Sequence, residues 1–157
     1  MLKALLLLTP ILGFSMTGKF SGKGIARYAS GREYQCSEIF LSLKQTTDRF
    51  YLNEGGYICG LLQAGFDNFK MDIRNGELFH QDQKLGVITD QEIKYSIYDP
   101  EDNSTYFFAF TKLDEKRFHY FEEWHDGEKI ALKVEGTLFE YSSKSPTEEN
   151  HQQFDVQ

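Results

Sequence analysis

The chain has 157 residues, with 17 Lys and Arg against 24 Asp and Glu and a net charge of −7, and that length suits one domain around a single core. The charge excludes a nucleic-acid backbone as partner, because such proteins concentrate positive charge to displace counterions, and the lysines here are interleaved with acids. Aromatic residues reach 15%, with 14 Phe and 9 Tyr, while Pro is held to 3. This composition points to an all-β domain.

The chain opens on "MLKALLLLTPILGFS". One positive residue, Lys3, precedes an apolar run from Ala4 to Phe14 that is too short to span a membrane and has the length of a secretory core segment. Gly13 and Ser15 are small residues placed for a cut before Met16. Residues 1–15 therefore read as a signal peptide, and the protein is expected to be exported, periplasmic or secreted. If Met16 is the true start, it is cytoplasmic. No Cys follows the run, so no lipoprotein anchor is indicated, and no integral membrane segment is expected in the mature chain. Residues 16–141 form the expected barrel domain. From Ser142 onward "SSKSPTEENHQQFDVQ" is polar and aperiodic, which predicts a disordered tail over 142–157.

Between these ends the sequence predicts a run of hairpins. Strand-like stretches lie near 18–29, 32–44, 49–62, 66–74, 77–80, 84–89, 92–99, 104–113, 117–125 and 128–140, punctuated by Ser30-Gly31, Asn75-Gly76 and Asp126-Gly127. Every connection is short. Parallel crossovers need a dozen or more residues, so the strands must run antiparallel, and eight to ten of them predict a closed up-and-down barrel.

Neighbouring hairpins test one another. A two-residue turn at Ser30-Gly31 sets Phe20 opposite Leu41, Gly22 opposite Ile39 and Lys23 opposite Glu38, with apolar pairs on one face and charges on the other. The same register puts Cys36 on the outer face, across from Ile25. A turn at Thr47-Asp48 then sets Leu43 against Leu52, Ser37 against Ile58, and Cys36 against Cys59. Opposed residues on antiparallel strands lie near the separation a disulfide requires, and an exported protein meets oxidising conditions. The chain-entropy stabilisation for a loop of about 24 residues is roughly 3.4 kcal/mol. Two cysteines with no His or Cys at ligand spacing do not make a zinc shell, so no metal is expected.

The order "FSGKGIARYASGREYQC", "LNEGGYICG", "RNGELF" and "LGVIT" resembles the small exported calycin-like proteins of bacteria, which share the lipocalin architecture. The resemblance covers residues 18 to 139 and implies an antiparallel calycin-like barrel with a cysteine on each of its second and third strands. Gly18-Lys19-Phe20 stands where true lipocalins have Gly-x-Trp, and no Arg partner is visible on the last strand. The histidine arrangement of nitrobindin-like haem barrels is also missing, and no cofactor is expected.

Motifs that would carry chemistry are sparse. Gly22-Lys23-Gly24 lies inside a strand with no helix after it, so it reads as a curvature device rather than a phosphate loop. Residues 99–104, "DPEDNS", lack the central Gly and terminal Glu of a calcium loop and read as an acidic hairpin tip. The densest cluster is "RFHYFEEWHDGEK", residues 117–129, which contains the only Trp. A two-residue turn would point His119, Phe121 and Glu123 inward. A three-residue loop would point Phe118, Tyr120 and Glu122 inward instead and bury more apolar surface. With Asn75-Gly76 as a turn, Ile73 meets Leu78 and Met71 meets His80 on the inner face.

The candidate ligand-binding residues are therefore His80, Phe118, Tyr120, Glu122 and Trp124. The function expected of such a chain is non-enzymatic binding of a small lipophilic ligand, apolar or amphipathic, inside the barrel. A solid interior would favour a structural or protein-interaction role. A small hydrolase or isomerase would need Glu122 and His80 to act together.

Overall fold

The computed structural model describes residues 16–141, apart from the Asp67 side chain; the leader and the tail lie outside the described residues. Ten strands follow in order: β1 (Gly18–Tyr28), β2 (Glu33–Gln45), β3 (Arg49–Cys59), β4 (Leu62–Arg74), β5 (Glu77–His80), β6 (Gln83–Ile88), β7 (Glu92–Asp99), β8 (Ser104–Lys112), β9 (Arg117–Asp126) and β10 (Lys129–Glu140). Each pairs antiparallel with the next, and β1 also pairs with β10, closing the barrel. Among the described residues no helix is long and apolar enough to cross a membrane.

Alternation along the strands builds the interior. On β9 Phe118, Tyr120 and Glu122 are buried while the residues between them are not. The facing follows from a one-residue bulge. Gly127 and Glu128 form the loop, Ile130 pairs with His125, and Ala131 is then skipped so that Leu132 meets Trp124 and Val134 meets Glu122. The inward set is the one a three-residue loop would have given; the extra residue sits in β10 rather than in the turn.

One end of the barrel is packed solid. Phe20, Phe110 and Phe118 meet with ring centroids 4.8–5.1 Å apart, and Met16, 1% exposed, is buried with them in the core. Its backbone N–H donates to Gln45 Oε1 at 3.1 Å. On the outside, Arg27 ties its two neighbouring strands together by pairing with Glu33 at 2.6 Å and with Glu135.

The glycines of "GKG" are used for close strand approach. Gly24 pairs with Gly136 on β10, and a Cβ on Gly24 would stand 2.2 Å from the Glu135 carbonyl oxygen. No side chain fits there without moving the backbone, which supports the packing reading of these residues.

The first hairpin differs from the sequence expectation. Its loop has three residues, Ala29 to Gly31, with the Tyr28 N–H donating to Arg32 O at 3.0 Å and Gly31 at φ 82°, a conformation that favours glycine. Phe20 still faces Leu41 and Gly22 still faces Ile39, because Ser37 bulges out of β2 and restores the offset. The same bulge corrects the cysteine facing. Past Ser37 the alternation flips, Cys36 pairs beside Gly24 rather than Ile25, and it points inward at 2% exposure.

Cys36 and Cys59 are nonetheless partners, and the disulfide between them is formed. The Thr47-Asp48 turn and the Leu43–Leu52 pair stand as expected, but Ile58 meets Glu38 rather than Ser37. Asn53 is an extra residue in β3 and Ser37 one in β2, so the two bulges cancel before the cysteines are reached.

Because both cysteines are buried, alanine is the replacement that leaves no unpaired hydroxyl inside. The C36A/C59A protein should keep its barrel and lose about 2–4 kcal/mol in chemical denaturation. Two thiols should react with alkylating reagent only after reduction and unfolding; labelling of the native, unreduced protein would contradict the bond.

Candidate functional site

The register of β8 against β9 orders the interior from end to end: Phe110 lies opposite Tyr120, Phe108 opposite Glu122, and Tyr106 opposite Trp124. The aromatic plug of Phe110 and Phe118 is therefore at one end and Trp124 at the other. Between them lies Glu122, whose side chain is fully buried.

Its carboxylate collects four donors. Tyr57 O–H reaches Oε1 at 3.0 Å and Trp124 Nε1–H reaches the same oxygen at 2.5 Å. Tyr120 O–H donates to Oε2, and Tyr106 O–H approaches that oxygen at 3.4 Å. The local reason is period-2 alternation: Tyr120, Glu122 and Trp124 are successive inward residues of one strand. Tyr106 comes from the neighbouring β8. Tyr57 belongs to β3, which is not paired with β9, so its hydroxyl meets the carboxylate across the lumen.

All four donors are neutral. Burial pushes the Glu122 carboxyl above the ordinary carboxylate range, and the hydrogen bonds from Tyr120, Trp124, Tyr57 and Tyr106 pull it back only in part. The tyrosines shift in the same direction. Burial raises Tyr57, Tyr95, Tyr106 and Tyr120 above the usual phenol value, and the nearby Glu122 charge adds to each. They stay protonated and available as donors.

Above this network a cavity of about 260 Å³ is lined by Leu52, Phe66, Phe69, Tyr95, Ile97, Tyr106 and Trp124. Two of the walls, Tyr106 and Trp124, are themselves donors to Glu122, and their rings lie 4.7 Å apart. Trp124 is 40% exposed and sits at the open rim.

The five residues singled out from sequence are distributed along this axis. Tyr120, Glu122 and Trp124 join in one network. Phe118 is packed between Phe20 and Phe110 and does not line the cavity. His80 is half-buried at the end of β5, its Nδ1 3.3 Å from the Lys70 carbonyl oxygen and its ring 5.3 Å from that of Phe69. It touches the cavity only through Phe69 and shares no hydrogen bond with Glu122. Tyr57, Tyr106 and the Phe66–Phe69 wall escaped the sequence reading. The alternation of Tyr95 with Ile97 and of Tyr106 with Phe108 was the available signal, but β8 is apolar on both faces.

Among the described residues no group of three or more His, Cys, Asp or Glu is placed to hold a metal ion. No family model matches the chain, and no curated protein matches it. A solved structure described as "Structure of EF1p2_mFAP2b bound to DFHBI" is similar with a TM-score of 0.38 and 14% identity, covering 80% of this chain and 94% of that one. The class that fold and site define is a closed antiparallel β-barrel, plugged at one end and hollow at the other.

The raised Glu122 pKa fixes the sign of a pH effect. The fold favours the protonated carboxyl, so the stability tied to it is complete below the unfolded-state pKa and is lost as pH rises through the folded value. Glu122→Gln removes that titration. In urea unfolding at a series of pH values, wild-type stability relative to the variant should fall as pH rises above the ordinary carboxylate range and then level off. A difference independent of pH would contradict the raised pKa.

Proposed function

We propose that this barrel is an exported binding protein that takes one small apolar or amphipathic molecule at its open end. The observation that carries the reading is the cavity between Leu52, Phe66, Phe69, Tyr95, Ile97, Tyr106 and Trp124. An apolar lining with a few oriented polar groups beneath it is the usual build of a small-molecule site. Its volume of about 260 Å³ lies just under the common range of roughly 300–1,000 Å³, which suits a compact ring system better than a long acyl chain. Trp124 and Tyr106 form the contact surface, Glu122 and Tyr120 set their orientation from below, and His80 buttresses Phe69.

A second reading, a protein-interaction role, draws on the outer surface. Leu85, Val87, Phe107, Ala109 and Phe121 line an external groove of about 600 Å³ across β6 to β9.

Titration separates the two. Trp124 is the sole Trp, and neutral aromatic probes should change its emission saturably. Ile97→Trp, which fills the cavity from β7, should abolish uptake measured by calorimetry while leaving the β-sheet circular dichroism unchanged. If no probe class binds the wild type, the interaction role is the better reading.

Export through a cleaved leader belongs to the same proposal, because the disulfide suits an oxidising compartment. A cut before Met16 would keep a residue that is buried in the core. Protein recovered from the envelope or medium should have the intact mass of a chain starting at Met16. Full-length protein confined to the cytosol would refute export.

A further inference from the structure

Five of the seven residues around the cavity are aromatic: Phe66, Phe69, Tyr95, Tyr106 and Trp124. Hydrophobic burial alone does not require this, since Leu, Ile and Val fill small barrels as well. Aromatic faces add a negative quadrupole, which attracts cations. No Lys or Arg lines the cavity.

Beneath the aromatic wall stands Glu122, whose hydrogen-bond partners are Tyr57, Tyr106, Tyr120 and Trp124 and include no cation. Tyr95, from β7, adds a further neutral phenol near the carboxylate. Every ionisable group named around Glu122, from β3, β7, β8 and β9, is thus a tyrosine. Once ionised, a carboxylate enclosed this way is weakly screened, and its field extends through the thickness of a ring.

The two features are coupled. Tyr106 and Trp124 present their surfaces to the cavity and donate a hydrogen bond to the same carboxyl group. Donation to an anion polarises each ring toward its face and makes that face more attractive to positive charge. A carboxylate-bearing ligand such as a fatty acid would meet a like charge with no partner.

We propose that the cavity selects an organic cation, an aryl or alkyl ammonium of compact shape, held against Trp124 and Tyr106 above the Glu122 carboxylate. The inference rests on the small-ligand reading and names its ligand class. The net charge of −7 acts in the same direction by raising the local concentration of cations.

The test uses three probes of nearly one shape: phenyltrimethylammonium, its neutral isostere tert-butylbenzene, and the anion 4-tert-butylbenzoate. Titration of the folded wild-type barrel should give an affinity for the ammonium about tenfold above the neutral isostere, with the benzoate weakest. In Glu122→Gln the ammonium should lose more affinity than tert-butylbenzene, so that its preference collapses to within about twofold. If that variant does not fold, Trp124→Leu at the half-exposed rim decides, and it should weaken the ammonium more than the isostere.

Equal or tighter binding of tert-butylbenzene by the wild type would overturn cation selection and leave the small-ligand reading standing. Equal losses for both probes in the variants would overturn it as well. Failure of all three probes would remove the small-ligand reading itself.

Discussion

A carboxylate placed in the middle of an apolar barrel constrains everything near it. Glu122 must be hydrogen-bonded or neutral, because an isolated charge at that depth is far too costly. The fold meets the requirement with donors from three strands, and one of them, Tyr57, spans the lumen from β3. Backbone pairing connects β9 only to β8 and β10. The carboxylate is therefore the point where the two walls of the barrel are joined by something directional, whereas dispersion and hydrophobic contact elsewhere tolerate small slides.

This arrangement also divides the interior by function. Toward Phe20 and Phe118 the rings fill space, Phe118 stacked on Phe110 and both edge-on to Phe20, a packed end that resists deformation. Toward Trp124 the rings stand around a void, and Tyr106 and Trp124 have their polar atoms tied downward to Glu122. Side chains pinned at one edge cannot easily collapse into the hollow beside them. A cavity with fixed walls admits a ligand at lower ordering cost than one that must be opened first.

The sequence carried much of the architecture. Ten strands, short connections and antiparallel order were all legible, because turn residues and alternation are local properties. Register was legible only where bulges were absent or cancelled. The opposed cysteines were found, yet their facing was misread, since nothing in "QCSEIF" marks Ser37 as an extra residue and one extra residue inverts every position beyond it. The site was half visible for a related reason. Tyr120, Glu122 and Trp124 lie on one strand and announce themselves by spacing. Tyr57 and Phe66 reach the same place from strands far apart in sequence, and closure of the ring alone brings them there.

The paired bulges at Ser37 and Asn53 give the disulfide a role in the order of assembly. A β2 strand that zipped onto β1 and β3 without its bulge would present Cys36 to solvent while Cys59 stayed turned inward, and the two sulfurs could not meet. Oxidation thus reads alignment. A chain in which one irregularity has settled without the other cannot close the bond, and such a slipped hairpin keeps reactive thiols, open to exchange until its strands realign.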